Sequence, residues 1–167
     1  MRLVALIAAA LIVSLPASAQ EWKEYSYPDS GFYVHFPSDP QVADGTYTLD
    51  GKTVKSKIYS LEHNQILYAV TVADFSSENM QEESAIDQAV KEMIGDGEVV
   101  MDIPHRINST YGRQLMIKGK DDSRSSVAVF FRDKKLIVAN GKILAANPDK
   151  SAGEGMRFQQ TLGWPGQ

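Results

Sequence analysis

The sequence predicts an α+β domain in which a twisted antiparallel sheet of about six to eight strands is covered by helices. Short segments with strand-like alternation recur along the chain, and clusters of Pro, Gly, Asn and Asp separate them as turns do. One segment in the middle and one near the end change to the helical period. Strands, a helix, more strands and a second helix differ from the regular alternation of a parallel sheet, so an antiparallel sheet is predicted.

The first two strands are predicted at residues 22–27 and 32–36. Both segments alternate, and the second places its Phe and Val side chains on one face. The cluster Pro28-Asp29-Ser30-Gly31 between them is typical of a turn. These strands open the domain that follows the apolar start of the chain.

The dipeptide Asp50-Gly51 lies between predicted strands at residues 46–49 and 52–61. Both residues tolerate a positive φ, which favours a tight two-residue hairpin. The next run, residues 66–75, is apolar and β-branched at almost every position. Such a run predicts a central strand that is covered on both faces.

Residues 82–94 change to the helical period. Ile86, Ala89 and Val90 recur on one face of the predicted helix, with charged residues opposite. Gly95 follows as a plausible helix stop.

Strands return after this helix and end in a second one. Four further strands are predicted at residues 99–103, 114–118, 126–131 and 136–139, with turns at Asp121-Asp122 and Asp133-Lys134. The segment 150–162 is predicted to be helical, with Ser151 as its N-cap. Gly153 and Gly155 lower the helix propensity of its first turn.

Motifs at the two ends of this domain resemble a known group of proteins. They read Trp22-x-x-Tyr25, Gly31-Phe32-x-Val34-x-Phe36-Pro37-x-x-Pro40 and Arg157-Phe158-x-x-Thr161-Leu162. This is similar to small secreted bacterial proteins of uncharacterised function and, more distantly, to the PsbP/Mog1-like group. The resemblance implies an antiparallel sheet sandwiched by helices and a non-catalytic accessory role, such as docking on a larger complex, sometimes with ion binding. It carries over no individual site residue.

The first 19 residues predict a secretory signal peptide. Arg2 precedes an apolar run at residues 3–13, and the small residues Ala17 and Ala19 precede Gln20, as a cleavage site requires. The run is shorter than the roughly 20 residues that span a bilayer. We therefore expect residues 20–167 to form a single domain that is periplasmic or secreted and has no transmembrane anchor. The alternatives are an uncleaved anchor or a buried helix.

The composition of the chain excludes several kinds of site and argues against one class of partner. The chain contains no Cys, so disulfides, thiol catalysis and Cys-based metal sites are excluded. Its formal net charge of −4 argues against nucleic-acid binding through a global field.

The sequence shows no pattern of a metal centre or of a catalytic site. His35, His63 and His105 are far apart and lack the spacing of metal ligands. There is no Gly-x-Ser-x-Gly elbow and no glycine-rich phosphate loop. We expect no metal, no cofactor and no enzymatic activity.

Aromatic residues cluster within residues 22–36. Tyr25, Tyr27 and Tyr33 are the candidates for contacting a partner, Tyr33 because it lies on the parity opposite Phe32. The alternative is that they are covered inside the domain. We expect a non-catalytic accessory or protein-binding module of the bacterial envelope, its oligomeric state open. The alternatives are a carrier of a small ligand or metal ion, with a pocket between sheet and helix, and a hydrolase built from dispersed residues.

Overall fold

The computed structural model describes residues 21–150 and 153–166. In chain order, the elements are β1 (Lys23–Tyr27), β2 (Phe32–Phe36), β3 (Gln41–Leu49), β4 (Lys52–His63), β5 (Ile66–Asp74), α1 (Glu82–Ile94), β6 (Glu98–Ile107), β7 (Thr110–Lys118), β8 (Arg124–Arg132), β9 (Lys135–Ile143) and α2 (Gly153–Gln160). The predicted signal peptide, with Ala17, Ala19 and Gln20, and the predicted N-cap Ser151 lie outside the described residues.

Seven strands form the main sheet in the order β3-β4-β5-β9-β8-β7-β6, and every neighbouring pair is antiparallel. This confirms the predicted α+β class and the predicted number of strands. The first two strands do not join this sheet. They form a separate two-stranded hairpin instead.

The main sheet buries a core on each face. One face, the α1 face, packs against α1 and buries side chains such as Leu115, Val127 and Val129. The other, the hairpin face, is covered by α2 and by the β1–β2 hairpin, and it buries Phe130 and Ile137. The two helices thus lie on opposite faces of the sheet, as in the predicted sandwich.

Tight turns connect most neighbouring strands of the sheet. Asp50 and Gly51 have φ values of 52° and 71°, which confirms the predicted hairpin between β3 and β4. The β8–β9 turn is of the same kind, with φ of 49° at Asp133 and 58° at Lys134. These two-residue loops fix the register of the strands that they join.

The strand β6 is longer than predicted. The sequence predicts its end before Pro104, whereas the strand continues through this proline to Ile107. Proline is tolerated in an edge strand because no further strand needs its missing N–H, and β6 is the last strand of the sheet.

The described residues include no helix long and apolar enough to cross a membrane.

Close backbone contact between α2 and β9 sets the distance of this helix from the sheet. A Cβ built on Gly141 of β9 would lie 2.5 Å from the Cα of Gly155 in α2. Real Cβ atoms do not approach this closely, so the helix can lie here only because both residues are glycines.

We expect Gly141→Ala to destabilise the protein by about 2 kcal/mol, because the added methyl group forces α2 away from the sheet. Urea unfolding followed by far-UV circular dichroism measures this. Gly45→Ala is the control, since its added Cβ would lie 3.3 Å from the nearest atom, Ser56 Oγ. Equal unfolding midpoints for Gly141→Ala and the wild type would contradict the packing argument.

Candidate functional site

Two of the candidate tyrosines face the core beneath the hairpin. Tyr25 Oη donates a hydrogen bond to Asp39 Oδ1 at 2.6 Å, and its ring meets Phe36 edge-on at 5.8 Å between centroids. The hydrogen bond to Asp39, followed by desolvation, raises the pKa of Tyr25 to about 12. Tyr27 packs on Tyr59 with centroids 4.2 Å apart. Both rings contribute to packing inside the domain.

The third candidate, Tyr33, lies in the opposite row of the hairpin. Its backbone N–H and C=O pair with Gly163 at 2.9 and 3.0 Å, and its half-buried ring lies against this glycine. The three tyrosines therefore do not form one common surface. Their role in contacting a partner stays a prediction.

The three histidines lie on three different strands. His35 Nε2 is 3.5 Å from Glu24 Oε2 on the exposed side of the hairpin, and His63 is the last residue of β4. His105 lies in β6 with its ring 5.5 Å from Phe130, and burial lowers its pKa. Among residues 21–150 and 153–166, no group of three or more His, Asp or Glu side chains is arranged to hold a metal ion.

The edge strand β6 carries the most prominent exposed apolar side chains. Val100 is 56 % exposed, and Val99 and Ile103 are each 43 % exposed. The other large apolar side chain of comparable exposure in the described residues, Val42, lies on the opposite edge strand β3. An edge strand also presents backbone N–H and C=O groups that no neighbouring strand pairs.

Two features of β6 limit how another strand can pair with it. The register with β7 shifts between Val99 and Met101, which leaves Val100 as the extra residue of a bulge. Pro104, opposite Arg113 of β7, has no N–H to donate. Bulges and prolines restrict indiscriminate pairing at sheet edges. The segment between these two features, ending at Ile103, is the part of the edge best able to accept a further strand.

The two rows of side chains along β6 differ in chemistry. On the hairpin face, Met101 lies opposite Met116 of β7, and both are half-buried. On the α1 face, Arg113 Nε donates to Asp102 Oδ1 at 2.9 Å, and its Nη1 donates to Asp87 Oδ1 of α1 at 3.1 Å. Between the bulge and Pro104, the edge is thus apolar on the hairpin face and ion-paired on the α1 face, whereas Val99, before the bulge, lies on the α1 face opposite Ile117.

A second surface lies at the end of the α1 face that α1 does not cover. Ile58 and Ser60 of β4 lie opposite Thr71 and Ala69 of β5, and all four are half-buried. Leu67 extends the same row. Its side chains are less exposed than those of β6, and charged residues border it at Leu67, which lies opposite Glu62 of β4 and Lys142 of β9.

A cavity of about 460 Å³ opens between α2 and the sheet. Trp22, Ile66 and Tyr68 form its apolar wall, and the charged residues of its lining are Arg157, Glu154 and Asp149. Its volume is within the range of small-molecule sites. The cavity lies between the sheet and a helix. This is where the sequence analysis expects a pocket if the protein is a ligand carrier.

The sequence contains a pattern that indicates one of these features, the exposed edge strand β6. Three consecutive apolar residues, Val99, Val100 and Met101, followed shortly by Pro104, are typical of an edge strand with an exposed row. The cavity left no comparable signal, because Trp22 and Arg157 are at opposite ends of the domain.

Comparison with known proteins supports the fold. No protein-family model matches the chain, and no curated protein matches it in sequence. Among solved structures, it is similar to cyanobacterial PsbP (CyanoP) from Synechocystis sp. PCC 6803, with a TM-score of 0.58. The match covers 95 % of this chain and 98 % of that chain at 10 % sequence identity. The chain therefore has a PsbP-like fold, as the sequence resemblance predicted.

We expect His105 to make the protein less stable as the pH falls from about 7 to 5. Burial lowers the pKa of His105 in the folded state, so the unfolded chain takes up the proton first, and its free energy falls relative to the folded chain. Urea unfolding at several pH values in this window tests the expectation. The stability of His105→Gln should fall less steeply than that of the wild type, and parallel pH profiles would contradict it.

Proposed function

We propose that this chain is an exported, non-catalytic accessory module of the bacterial envelope that binds a partner protein at the edge strand β6. In this proposal an extended segment of the partner adds to the main sheet next to β6. The observation that carries it is the concentration of exposed apolar side chains, Val99, Val100 and Ile103, on an edge strand.

Strand addition suits both properties of this edge. Main-chain hydrogen bonds to the unpaired groups of β6 give affinity, and side-chain pockets give specificity. Burial of apolar surface contributes about 25 cal/mol for each Å² removed from water. The exposed valines and Ile103 therefore become favourable contacts once a partner covers them.

The two rows of β6 specify the partner segment. Alternate side chains of an added strand point to opposite faces of the sheet. Next to Met101 and Ile103 the partner needs apolar side chains, and next to the Asp102–Arg113 pair it needs polar ones. A segment with alternating apolar and polar residues meets both needs, and the bulge and Pro104 limit its length.

The remaining parts of the proposal have separate support. Export is supported by the predicted signal peptide. The chain has no Cys and therefore no disulfides, and two buried cores stabilise the fold instead. The accessory, non-catalytic role is supported by the sequence resemblance and by the absence of a nucleophile elbow in the sequence.

Affinity capture with three variants of the exported protein tests the docking edge. We expect Ile103→Lys to reduce recovery of the partner from an envelope extract at least about tenfold, because the buried ammonium costs more than 1.4 kcal/mol. Val42→Lys, on the other edge strand, and Thr71→Lys, on the uncovered sheet surface, should recover the partner as the wild type does. Quantitative mass spectrometry of the captured proteins gives the ratios.

Hydrogen exchange then locates the contact. With the purified partner, amide protection should increase in residues 101–103, the segment between the bulge and Pro104. The free energy of unfolding of each variant should lie within about 0.5 kcal/mol of that of the wild type. A partner that Ile103→Lys retains and Thr71→Lys loses would place the docking surface on the sheet face and overturn the assignment to β6.

A further inference from the structure

We infer that the cavity between α2 and β5 binds a small zwitterion, namely an α-amino acid with an apolar side chain. This site is separate from the docking edge, because β6 contributes no residue to the cavity. The inference depends on an apolar wall, on charges of both signs and on a loop that hydrogen bonds hold in place.

Aromatic rings form the apolar wall. The rings of Trp22 and Tyr68 meet edge-on, with centroids 5.3 Å apart and an interplanar angle of 81°. Phe158 of α2 lies behind both, at 6.5 Å from Trp22 and 5.3 Å from Tyr68. Tyr68 and Phe158 are almost fully buried, so the wall is part of the core and is formed before any ligand binds.

Arg157 is positioned to bind an anionic group. Its Cζ lies 4.4 Å from the centre of the Trp22 ring. Stacking on an aromatic ring fixes the plane of a guanidinium group and leaves its N–H donors available at the edge. The guanidinium is therefore oriented for a carboxylate, which it can bind through two parallel hydrogen bonds.

Glu154 supplies the opposite charge one helical turn away. Its Oε1 is 4.0 Å from Arg157 Nη1, which is too long for a hydrogen bond. The two side chains are 52 % and 51 % exposed, respectively. Both groups therefore keep hydrogen-bonding capacity for a ligand that carries an ammonium and a carboxylate on neighbouring atoms.

The hydroxyl group of Tyr68 lies near Glu154 and Arg157. Burial and the nearby Glu154 carboxylate raise the pKa of its hydroxyl to about 12. The hydroxyl group is therefore neutral at physiological pH, and it can donate or accept a hydrogen bond.

Asn147 and Asp149, in the described residues 144–150 that follow β9, form a further wall of the cavity. Asn147, which is 9 % exposed, donates from Nδ2 to Asn64 O at 3.0 Å and accepts from the Asp149 N–H at 2.9 Å. Lys150 Nζ donates to the carbonyl oxygens of Leu144 and Ala145 at 3.0 and 2.7 Å. The first of these bonds joins the segment to the turn between β4 and β5, and the others hold the segment together internally, which reduces the ordering cost of binding.

A larger cavity, of about 580 Å³, lies beside β3 and β4 but suits a ligand less well. Lys57 there is paired with Asp44 at 2.6 Å, and Lys135 donates to Asp29 O at 2.6 Å. None of the described residues that line it is aromatic. Asp74 accepts from the Ser76 N–H at 2.9 Å, so four of the six charged side chains in this lining are already hydrogen-bonded within the protein, and the cavity offers no comparable apolar wall.

Isothermal titration calorimetry with four compounds tests the ligand class. We expect L-leucine and L-phenylalanine to bind. N-acetyl-L-leucine lacks the ammonium, and 3-methylbutylamine lacks the carboxylate, so each should bind at least about tenfold more weakly than L-leucine, given the strength of hydrogen bonds to charged groups. No heat of binding from either amino acid at up to about 10 mM, or equal affinity for all four compounds, would overturn the inference.

Variants then assign the binding to this cavity. Arg157→Gln and Glu154→Gln should each weaken L-leucine binding at least about tenfold. Arg132→Gln is the matched control, because Arg132 also lies over an indole ring, 5.3 Å from the centre of Trp164, but outside the cavity. Circular dichroism of each variant checks that it is folded. Equal loss of binding in Arg132→Gln and Arg157→Gln would overturn the assignment.

Discussion

The hairpin-face core depends on a contact between the two ends of the described chain. The β1–β2 hairpin and the segment after α2 are joined by backbone pairing of Tyr33 with Gly163 and by the hydrogen bond from His35 N to Thr161 Oγ1 at 2.9 Å. This contact encloses Trp164, which is 1 % exposed and donates from Nε1 to Ile107 O. The contact therefore joins the hairpin and the segment after α2 into one continuous cover over this face of the main sheet.

Local sequence signals predicted the elements that are formed locally. The helix at residues 82–94 and its stop at Gly95 follow from the spacing of apolar residues and from one glycine, and the structure has both. Asp50-Gly51 was sufficient to predict its hairpin. The position of a strand in the sheet depends on distant parts of the chain. The sequence pattern therefore predicted that β6 ends before Pro104, although an edge strand can contain a proline.

The candidate sites also depend partly on local sequence and partly on contacts between distant parts of the chain. The parity of Tyr25 and Tyr27 within β1 follows from the sequence, but whether that face is covered depends on packing against the sheet. Likewise, Trp22 and Arg157 meet only after the ends of the domain have come together. Since α1, α2 and the hairpin cover most of both sheet faces, the sheet stays exposed at its edges and at one uncovered end, and a cavity remains beside α2.

The pairing of the β1–β2 hairpin with the segment after α2 has a consequence for folding. Phe158, Leu162 and Trp164 complete the hairpin-face core, although they lie far along the chain from the hairpin rings that they cover. Contacts between distant parts of a chain form slowly because a long loop must close first. The aromatic residues of the hairpin therefore stay accessible to water until α2 and the segment after it have packed on the sheet.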